Sequence, residues 1–175
     1  MRVRKIEENK KDYLELLLLA DEQEDMIDRY LERGDMYVLE EQMPAGEAAE
    51  EYGQNGGRYN VYGVCVVTDE GNGTLEIKNL AVSPEKQGQG YGRDLIWFVE
   101  ETYRDRYHML QVGTGDSPAT LPFYEKCGFQ RSHVVRNFFT ENYDHPIYEG
   151  GRQLVDMVYL QKDLKEKQRD YKISE

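Results

Sequence analysis

The sequence contains few of the residues that build disulfide, metal or membrane proteins. Its 175 residues include two cysteines, Cys65 and Cys127, at no metal-ligand spacing. Two isolated thiols fit a reducing compartment better than a disulfide scaffold. No apolar run approaches the roughly 20 residues that a membrane helix needs, and the N-terminal residues lack the apolar core of a signal peptide. We therefore predict no metal, no membrane span and a location in the cytoplasm.

Positive charge is also scarce. Lys and Arg total 22 against 34 Asp and Glu, so the formal net charge is −12. Affinity for nucleic acid depends on neutralising phosphates, so this balance argues against a nucleic-acid partner. A cationic small molecule or a basic peptide would suit an acidic surface. Solubility alone explains the same charge, and both interpretations stay open.

The chain is long enough for one domain with a proper core. We predict that this domain covers residues 1–164 and that residues 165–175 form a charged tail. Residues 43–60 are rich in Gly, Ala, Glu, Gln and Asn and show no apolar periodicity. This composition predicts a flexible loop insertion at the surface.

Apolar periodicity predicts the remaining elements. A helix is expected over residues 11–33, with a break at Asp21, and further helices over 93–107 and 117–126. Strands are expected over residues 2–6, 36–40, 61–68, 74–82, 108–112, 129–139 and 153–164. Residues 113–116 and 141–151 are expected to be loops. Hairpins early in this order and strand–helix crossovers later predict a mixed, mostly antiparallel α/β sheet with helices on both faces.

The most informative segment is the glycine-rich turn over residues 87–93, Gln-Gly-Gln-Gly-Tyr-Gly-Arg, between a strand and a helix. Glycines leave backbone N–H groups uncovered, and the helix behind them adds its free N–H groups and positive dipole end. Such a turn favours a phosphate ligand. A dinucleotide motif would need a third spaced glycine where Arg93 stands, and the Gly-Lys-Ser/Thr of an ATP loop is absent.

The residues around this turn resemble a known family. Gln87, Gly90 and Gly92 match Gln/Arg-x-x-Gly-x-Gly/Ala, preceded by Leu-Glu-Ile-Lys-Asn-Leu-Ala-Val-Ser-Pro at 75–84 and followed by Phe-Tyr-Glu-Lys-Cys-Gly-Phe at 123–129. Together these segments resemble the GCN5-related N-acetyltransferase (GNAT) superfamily. The resemblance implies that acetyl-CoA binds as co-substrate in a cleft where the parallel strands 74–82 and 108–112 splay apart.

The resemblance also implies which residues contact acetyl-CoA: Leu80, Ala81, Val82, Gln87, Gly88, Gln89, Gly90, Tyr91, Gly92, Arg93, Ser117 and Tyr124. The backbone of the strand would bond the pantetheine arm, and the turn would hold the pyrophosphate. The family often has Asn where Ser117 stands, so Ser117 is equally explained as a helix cap.

Acetyl transfer to an amine needs a base for the amine proton and is helped by an acid for the leaving thiolate. Tyr124 is the candidate acid, although a core aromatic would also fit beside its phenylalanine neighbours. Glu76 is the candidate base, since the histone-acetylating branch of the superfamily has its glutamate at this position. The alternative is a solvent-facing or water-ordering carboxylate. Strict alternation places Glu76 on one face with Lys78, Leu80 and Val82, unless a bulge intervenes.

The acceptor amine is the least determined part of the prediction. Asp144, His145, Tyr148 and Glu149 lie in a late polar segment that could border an acceptor site, or could be a solvated loop. The predicted function is transfer of acetyl from acetyl-CoA to a primary amine of a small molecule or peptide. The alternative is an acyl-CoA-sensing module without turnover, and a homodimer through the late strands is compatible with either.

Overall fold

The fold is organised around a seven-stranded mixed sheet, seen in a computed structural model that describes residues 1–44 and 59–166. The strands are β1 (Arg2–Ile6), β2 (Asp35–Gln42), β3 (Tyr59–Asp69), β4 (Thr74–Val82), β5 (Met109–Gly115), β6 (Gln130–Val135), and, after the hairpin β7 (Tyr148–Glu149) and β8 (Arg152–Gln153), β9 (Met157–Asp163). Their order across the sheet is β1-β2-β3-β4-β5-β9-β6. Most of the predicted loop at 43–60 and of the tail at 165–175 lies outside the described residues.

Helices cover both faces of this sheet, as predicted. On one face lie α1 (Leu14–Ala20) and α2 (Glu24–Asp28), which bury Leu17 and Ile27 against β2 and β3. On the other face lie α3 (Tyr91–Tyr103) and α4 (Leu121–Lys126), which share a larger core with β4, β5 and β9. A fifth helix, α5 (Phe138–Asn142), and short 3₁₀ turns at Lys10–Tyr13 and Pro84–Lys86 complete the chain.

The central strands β4 and β5 create the functional geometry. Among the described strands they form the one parallel pair, and their register runs from Thr74 opposite Met109 to Ile77 opposite Val112. Beyond this point β4 continues beside β3 alone, while β5 continues beside β9. The predicted splayed parallel pair is therefore confirmed.

A β-bulge at Lys78 changes which side chains of β4 share a face. Val66 of β3 stands opposite Asn79 and Val67 stands opposite Ile77, so Lys78 is the extra residue. After the bulge, Leu80 and Val82 pack with the α3–α4 core, whereas Asn79 and Ala81 lie under α1 and α2. Glu76, whose neighbours Leu75 and Ile77 belong to the α3–α4 core, therefore points to the opposite face from Leu80 and Val82, and strict alternation was wrong here.

Several predicted boundaries were also wrong, each because of pairing that local sequence does not show. Residues 113–115 continue β5, since they pair with Met157–Tyr159 of β9. The strand expected over 129–139 ends at Val135, and α5 starts after Asn137, which has a left-handed φ of 57°. Residues 11–33 form two short helices after a 3₁₀ turn, with the predicted break at Asp21. The helix expected over 117–126 is regular from Leu121.

Candidate active site

A cleft of about 1040 Å³ opens where β4 and β5 separate. Its walls come from the end of β4, the glycine-rich turn, the end of β5, α4, the corner between α1 and α2, and the segment from α5 to β9. All the predicted acetyl-CoA contacts line this cleft except Ser117: Leu80, Ala81, Val82, Gln87, Gly88, Gln89, Gly90, Tyr91, Gly92, Arg93 and Tyr124. The fold thus brings together residues that local sequence could place only on separate elements.

The glycine-rich turn has the conformation that its sequence predicts. Gly88 and Gly90 have φ values of 75° and 92°, a region that side chains disfavour. Gly92 is needed for a different reason, since a Cβ there would lie 3.1 Å from Cζ of Phe123. Gln87 Nε2 donates to the carbonyl of Val82 (3.0 Å), which ties the turn to the end of β4. These features leave the first N–H groups of α3 facing the cleft without intrahelical partners.

Positive charge collects at this end of the cleft, although the whole chain is acidic. Lys86, Arg93 and Lys126 all line it. Lys86 Nζ lies 3.0 Å from Glu41 Oε2, and this pairing raises the pKa of Lys86. Tyr91 also donates to the Glu41 carboxylate. Glu41 on β2 therefore anchors both the approach to the turn and the start of α3, and the cations and free N–H groups together favour a phosphate-bearing ligand.

The backbone of β4 offers a second binding feature. From Lys78 to Val82 the strand pairs with β3 on one side, but β5 has already turned away on the other. The groups on this open edge face the cleft beside the side chains of Leu80 and Val82. An open strand edge in a cleft can hydrogen-bond an extended ligand as an added strand would.

Tyr124 of α4 lines the same cleft. Its ring is 7% exposed and packs edge-on against Phe123 and Phe129. Within residues 1–44 and 59–166 its hydroxyl has no side-chain hydrogen-bond partner. Burial raises the pKa of this phenol, which keeps the proton on the oxygen. The geometry thus presents a protonated, uncommitted hydroxyl to a ligand in the cleft.

Glu76 and Ser117 lie outside the cleft lining. The Glu76 carboxylate is 4% exposed and accepts hydrogen bonds from Gln111 Nε2 (2.8 Å), Lys78 Nζ (3.0 Å) and Tyr159 (3.4 Å). It therefore belongs to a polar network that joins β4, β5 and β9. Ser117 is completely buried, and its hydroxyl accepts from the backbone N–H of Ala119 (3.1 Å), as a cap of the turn before α4 would.

A second part of the cleft lining is acidic and aromatic, and sequence reasoning missed Asp21 there. Asp21, at the corner between α1 and α2, accepts hydrogen bonds from Tyr143 (2.7 Å) and Tyr30 (3.2 Å). Burial raises the pKa of Asp21, and these two hydrogen bonds and one from the backbone of Gln23 oppose the rise. The only signal in the sequence was an acid at the end of a leucine-rich run, because Tyr143 is 122 residues away.

The late segment contributes only part of what was predicted. Tyr148 and Glu149 line the cleft, and burial raises the pKa of the Glu149 carboxyl. Asp144 and His145 do not line it and instead hydrogen-bond each other at the surface. In the described part of the chain, no group of three or more His, Cys, Asp or Glu is placed to hold a metal ion. Likewise, none of the described helices is long and apolar enough to cross a membrane.

Comparison with known proteins agrees with this geometry. Residues 32–131, more than half of the chain, match the family described as "Acetyltransferase (GNAT) domain". The chain is 34% identical over 166 residues to an uncharacterized N-acetyltransferase, YvbK, from Bacillus subtilis, covering 94% of this chain and 97% of the relative.

Two solved structures extend the comparison to the whole fold. A GNAT family acetyltransferase from Elizabethkingia anophelis with acetyl-CoA bound has 31% identity and a TM-score of 0.77, covering 93% of this chain and 97% of that one. A Bacillus subtilis acetyltransferase in complex with CoA has 34% identity and a TM-score of 0.74, with the same coverage. The chain belongs to the GNAT family and is an N-acetyltransferase.

Proposed function

We propose that this protein transfers the acetyl group of acetyl-CoA directly to a primary amine. The observation that carries the proposal is the single cleft that combines an open strand edge, a glycine-rich turn at a helix N-terminus and the buried hydroxyl of Tyr124. The acetyl-CoA and CoA complexes of the two solved relatives support the identity of the donor.

The residues of the cleft suit the parts of acetyl-CoA. The open edge of β4 at Leu80, Ala81 and Val82 matches the amide groups of an extended pantetheine arm. The uncovered N–H groups of the turn, with Lys86 and Arg93, match the phosphates. Side chains at Gly88 and Gly90 would strain the turn, so the absence of side chains there fits a close approach of the ligand to the backbone.

The chemistry requires that the nitrogen lose two protons and that the leaving sulfur gain one. An alkylamine has a pKa of about 10.4, so it must lose a proton before its nitrogen attacks. The C–N bond then forms as the C–S bond breaks, with the oxygen charge stabilised by a backbone N–H near Val82. Tyr124 donates a proton to the leaving thiolate. The second proton of the nitrogen, lost as the amide forms, passes to solvent, and Tyr124 is reprotonated from solvent. Glu76 is the proposed base, and because it lies outside the cleft lining the amine proton would reach it through water.

The acceptor is a small-molecule or peptide amine that carries positive charge. Asp21, Glu22 and Glu149 line the cleft. Asp21 connects through Tyr30 to Asn79 of β4, whereas the cationic turn begins beyond Val82, at the end of the same strand. This separation of charge orients a cationic acceptor towards one end and the anionic donor towards the other. The net charge of −12 argues against a nucleic-acid partner, and we propose a cytoplasmic location without membrane association.

We also propose that the protein forms a homodimer through its late strands. The strand β6 lies at the edge of the sheet, and every one of its residues is exposed. An exposed edge with free N–H and C=O groups favours pairing with another strand. Light scattering that gives the mass of one chain at micromolar concentration would contradict the dimer.

The donor and the turnover are tested separately. Titration calorimetry should show binding of both CoA and acetyl-CoA, and no binding at near-millimolar concentration would refute the proposed donor. Release of CoA is then followed with polyamines, aminoglycosides, amino acids and lysine peptides. Binding of acetyl-CoA without release with any amine would favour the alternative, an acyl-CoA-sensing module.

A further inference from the structure

We infer that Asp21 binds the ammonium group of the acceptor, and that the acceptor is a primary amine carried on a short apolar or aromatic body. The inference rests on the proposed acetyl transfer and adds to it the residue that recognises the acceptor and the chemical class of that acceptor. Asp21, Asn79 and the apolar wall between α5 and β9 carry the argument.

Asp21 is a partly buried carboxylate that is held in one orientation. Tyr143 donates to one of its oxygens and Tyr30 to the other. The backbone N–H of Gln23 also donates to this carboxylate. An ionised carboxylate has about four acceptor positions, so about one remains open to a ligand in the cleft. The two tyrosines thus position the group without saturating it.

Asp21 also lacks a counter-ion. In the described part of the chain no lysine or arginine forms a salt bridge with it, and Arg29 acts on it only at longer range. The Arg29 guanidinium instead donates to Asn142 Oδ1 (3.1 Å). A partly buried carboxylate without a paired cation is costly, and an ammonium group in the cleft would remove that cost.

Asn79 supplies an independent observation. Its side chain lines the cleft and is 2% exposed, and its Nδ2 donates to Tyr30 (3.1 Å) and to the carbonyl of Leu17 (2.9 Å). Its Oδ1 is buried and has no hydrogen-bond partner among the described residues. Tyr30 connects Asn79 to Asp21, so the open amide oxygen and the carboxylate belong to one network. An ammonium group has three donors and can donate to more than one acceptor of such a network.

The body of the acceptor is indicated by the wall beside Asp21. Residues that line this part of the cleft are mainly apolar or aromatic: Phe139, Tyr143, Ile147, Leu154 and Met157. Phe139, Ile147 and Leu154 pack together as a buried cluster separate from the two main cores. The wall is therefore preformed, and it favours a compact apolar group over an extended polycation.

The test uses phenethylamine as the probe and 2-phenylethanol as the same body without the ammonium. Both are titrated by calorimetry into protein saturated with CoA. We expect the amine to bind about tenfold or more tightly than the alcohol, as a charged hydrogen bond implies. In Asp21→Asn this preference should vanish, while the affinity for CoA stays unchanged.

Asp25→Asn is the matched control. Asp25 lies on α2 and outside the cleft lining, so the preference for the amine should persist. Equal affinity of the two probes for the wild-type protein would overturn the inference even if Asp21→Asn failed to fold. A preference that survives in Asp21→Asn would overturn the role of Asp21, and tighter binding of spermidine than of phenethylamine would overturn the apolar body. Failure of the wild-type protein to bind CoA would instead refute the proposed function.

Discussion

Replacing Gly90 by alanine tests whether the glycine-rich turn binds the donor. Gly90 has a φ of 92° and stands directly before α3. A Cβ at this position would meet only the Arg93 guanidinium at 3.4 Å, which is an ordinary contact. The effect of Gly90→Ala is therefore backbone strain, which for a residue with a side chain in the left-handed region is about 1–2 kcal/mol.

The strain should appear in CoA binding more than in global stability. Residues 87–89 are exposed, so the free turn can relax into another conformation at little cost to the core. Binding of CoA would require the original conformation of the turn. The backbone strain would therefore lower the affinity for CoA. A penalty of about 1–2 kcal/mol lowers the affinity roughly five- to thirtyfold. Titration calorimetry with CoA measures this loss, and urea unfolding measures any change in the free energy of unfolding.

Gly71→Ala provides a matched control for this experiment. Gly71 lies in the β3–β4 hairpin turn with a φ of 83°, and a Cβ there would meet no atom within 4 Å. The variant bears similar strain but lies outside the cleft lining, so its affinity for CoA should equal that of the wild type. Unchanged affinity in Gly90→Ala, or an equal loss in Gly71→Ala, would refute the turn as the phosphate site.

Three further substitutions separate catalysis from stability. Tyr124→Phe should lower kcat about 100-fold or more. CoA affinity and the urea midpoint should stay unchanged, because the lost hydroxyl has no partner in the described structure. An unaltered kcat would show that Tyr124 is not the acid. Glu76→Gln should lower kcat by a similar factor if Glu76 is the base, whereas a kcat within a few-fold and a lower urea midpoint would assign Glu76 to the sheet. At Glu40, burial disfavours the carboxylate, but hydrogen bonds from Arg4 and Arg2 outweigh burial and lower its pKa. This stabilisation is present above the unfolded pKa of about 4.3 and is lost as the pH falls through the lower folded value. Glu40→Gln should therefore reduce the free energy of unfolding by about 1–3 kcal/mol at pH 7 and by less at pH 3, and an equal loss at both pH values would contradict the ion pair.

The part of the cleft around the glycine-rich turn could be predicted because its signals are local. The conformation of the turn depends on glycines at 88 and 90, and the start of α3 follows directly behind them. Tyr124 could be placed from the resemblance of its surrounding segment. Each of these features occupies a short stretch of chain, so neighbouring residues carry the information.

The part of the cleft around Asp21 could not be predicted because its residues meet only across the fold. Asp21 depends on Tyr143, 122 residues later, for one of its two hydrogen bonds from side chains. Asn79 faces this network because the bulge at Lys78 reverses the alternation of β4, and an extra residue in one strand has no clear local signal. The segment after Val135 turns into α5 because Phe139 is buried against Ile147 and Leu154.

The sequence alone therefore determined the family resemblance, the mixed sheet and the conformation of the glycine-rich turn, because backbone preference and apolar periodicity act over a few residues. Only the tertiary structure decided where β5 ends, which face Glu76 occupies and which carboxylate stands in the cleft. Those features depend on strand pairing and burial between residues that are distant in the chain, and the free energy of such contacts is not encoded in any one segment.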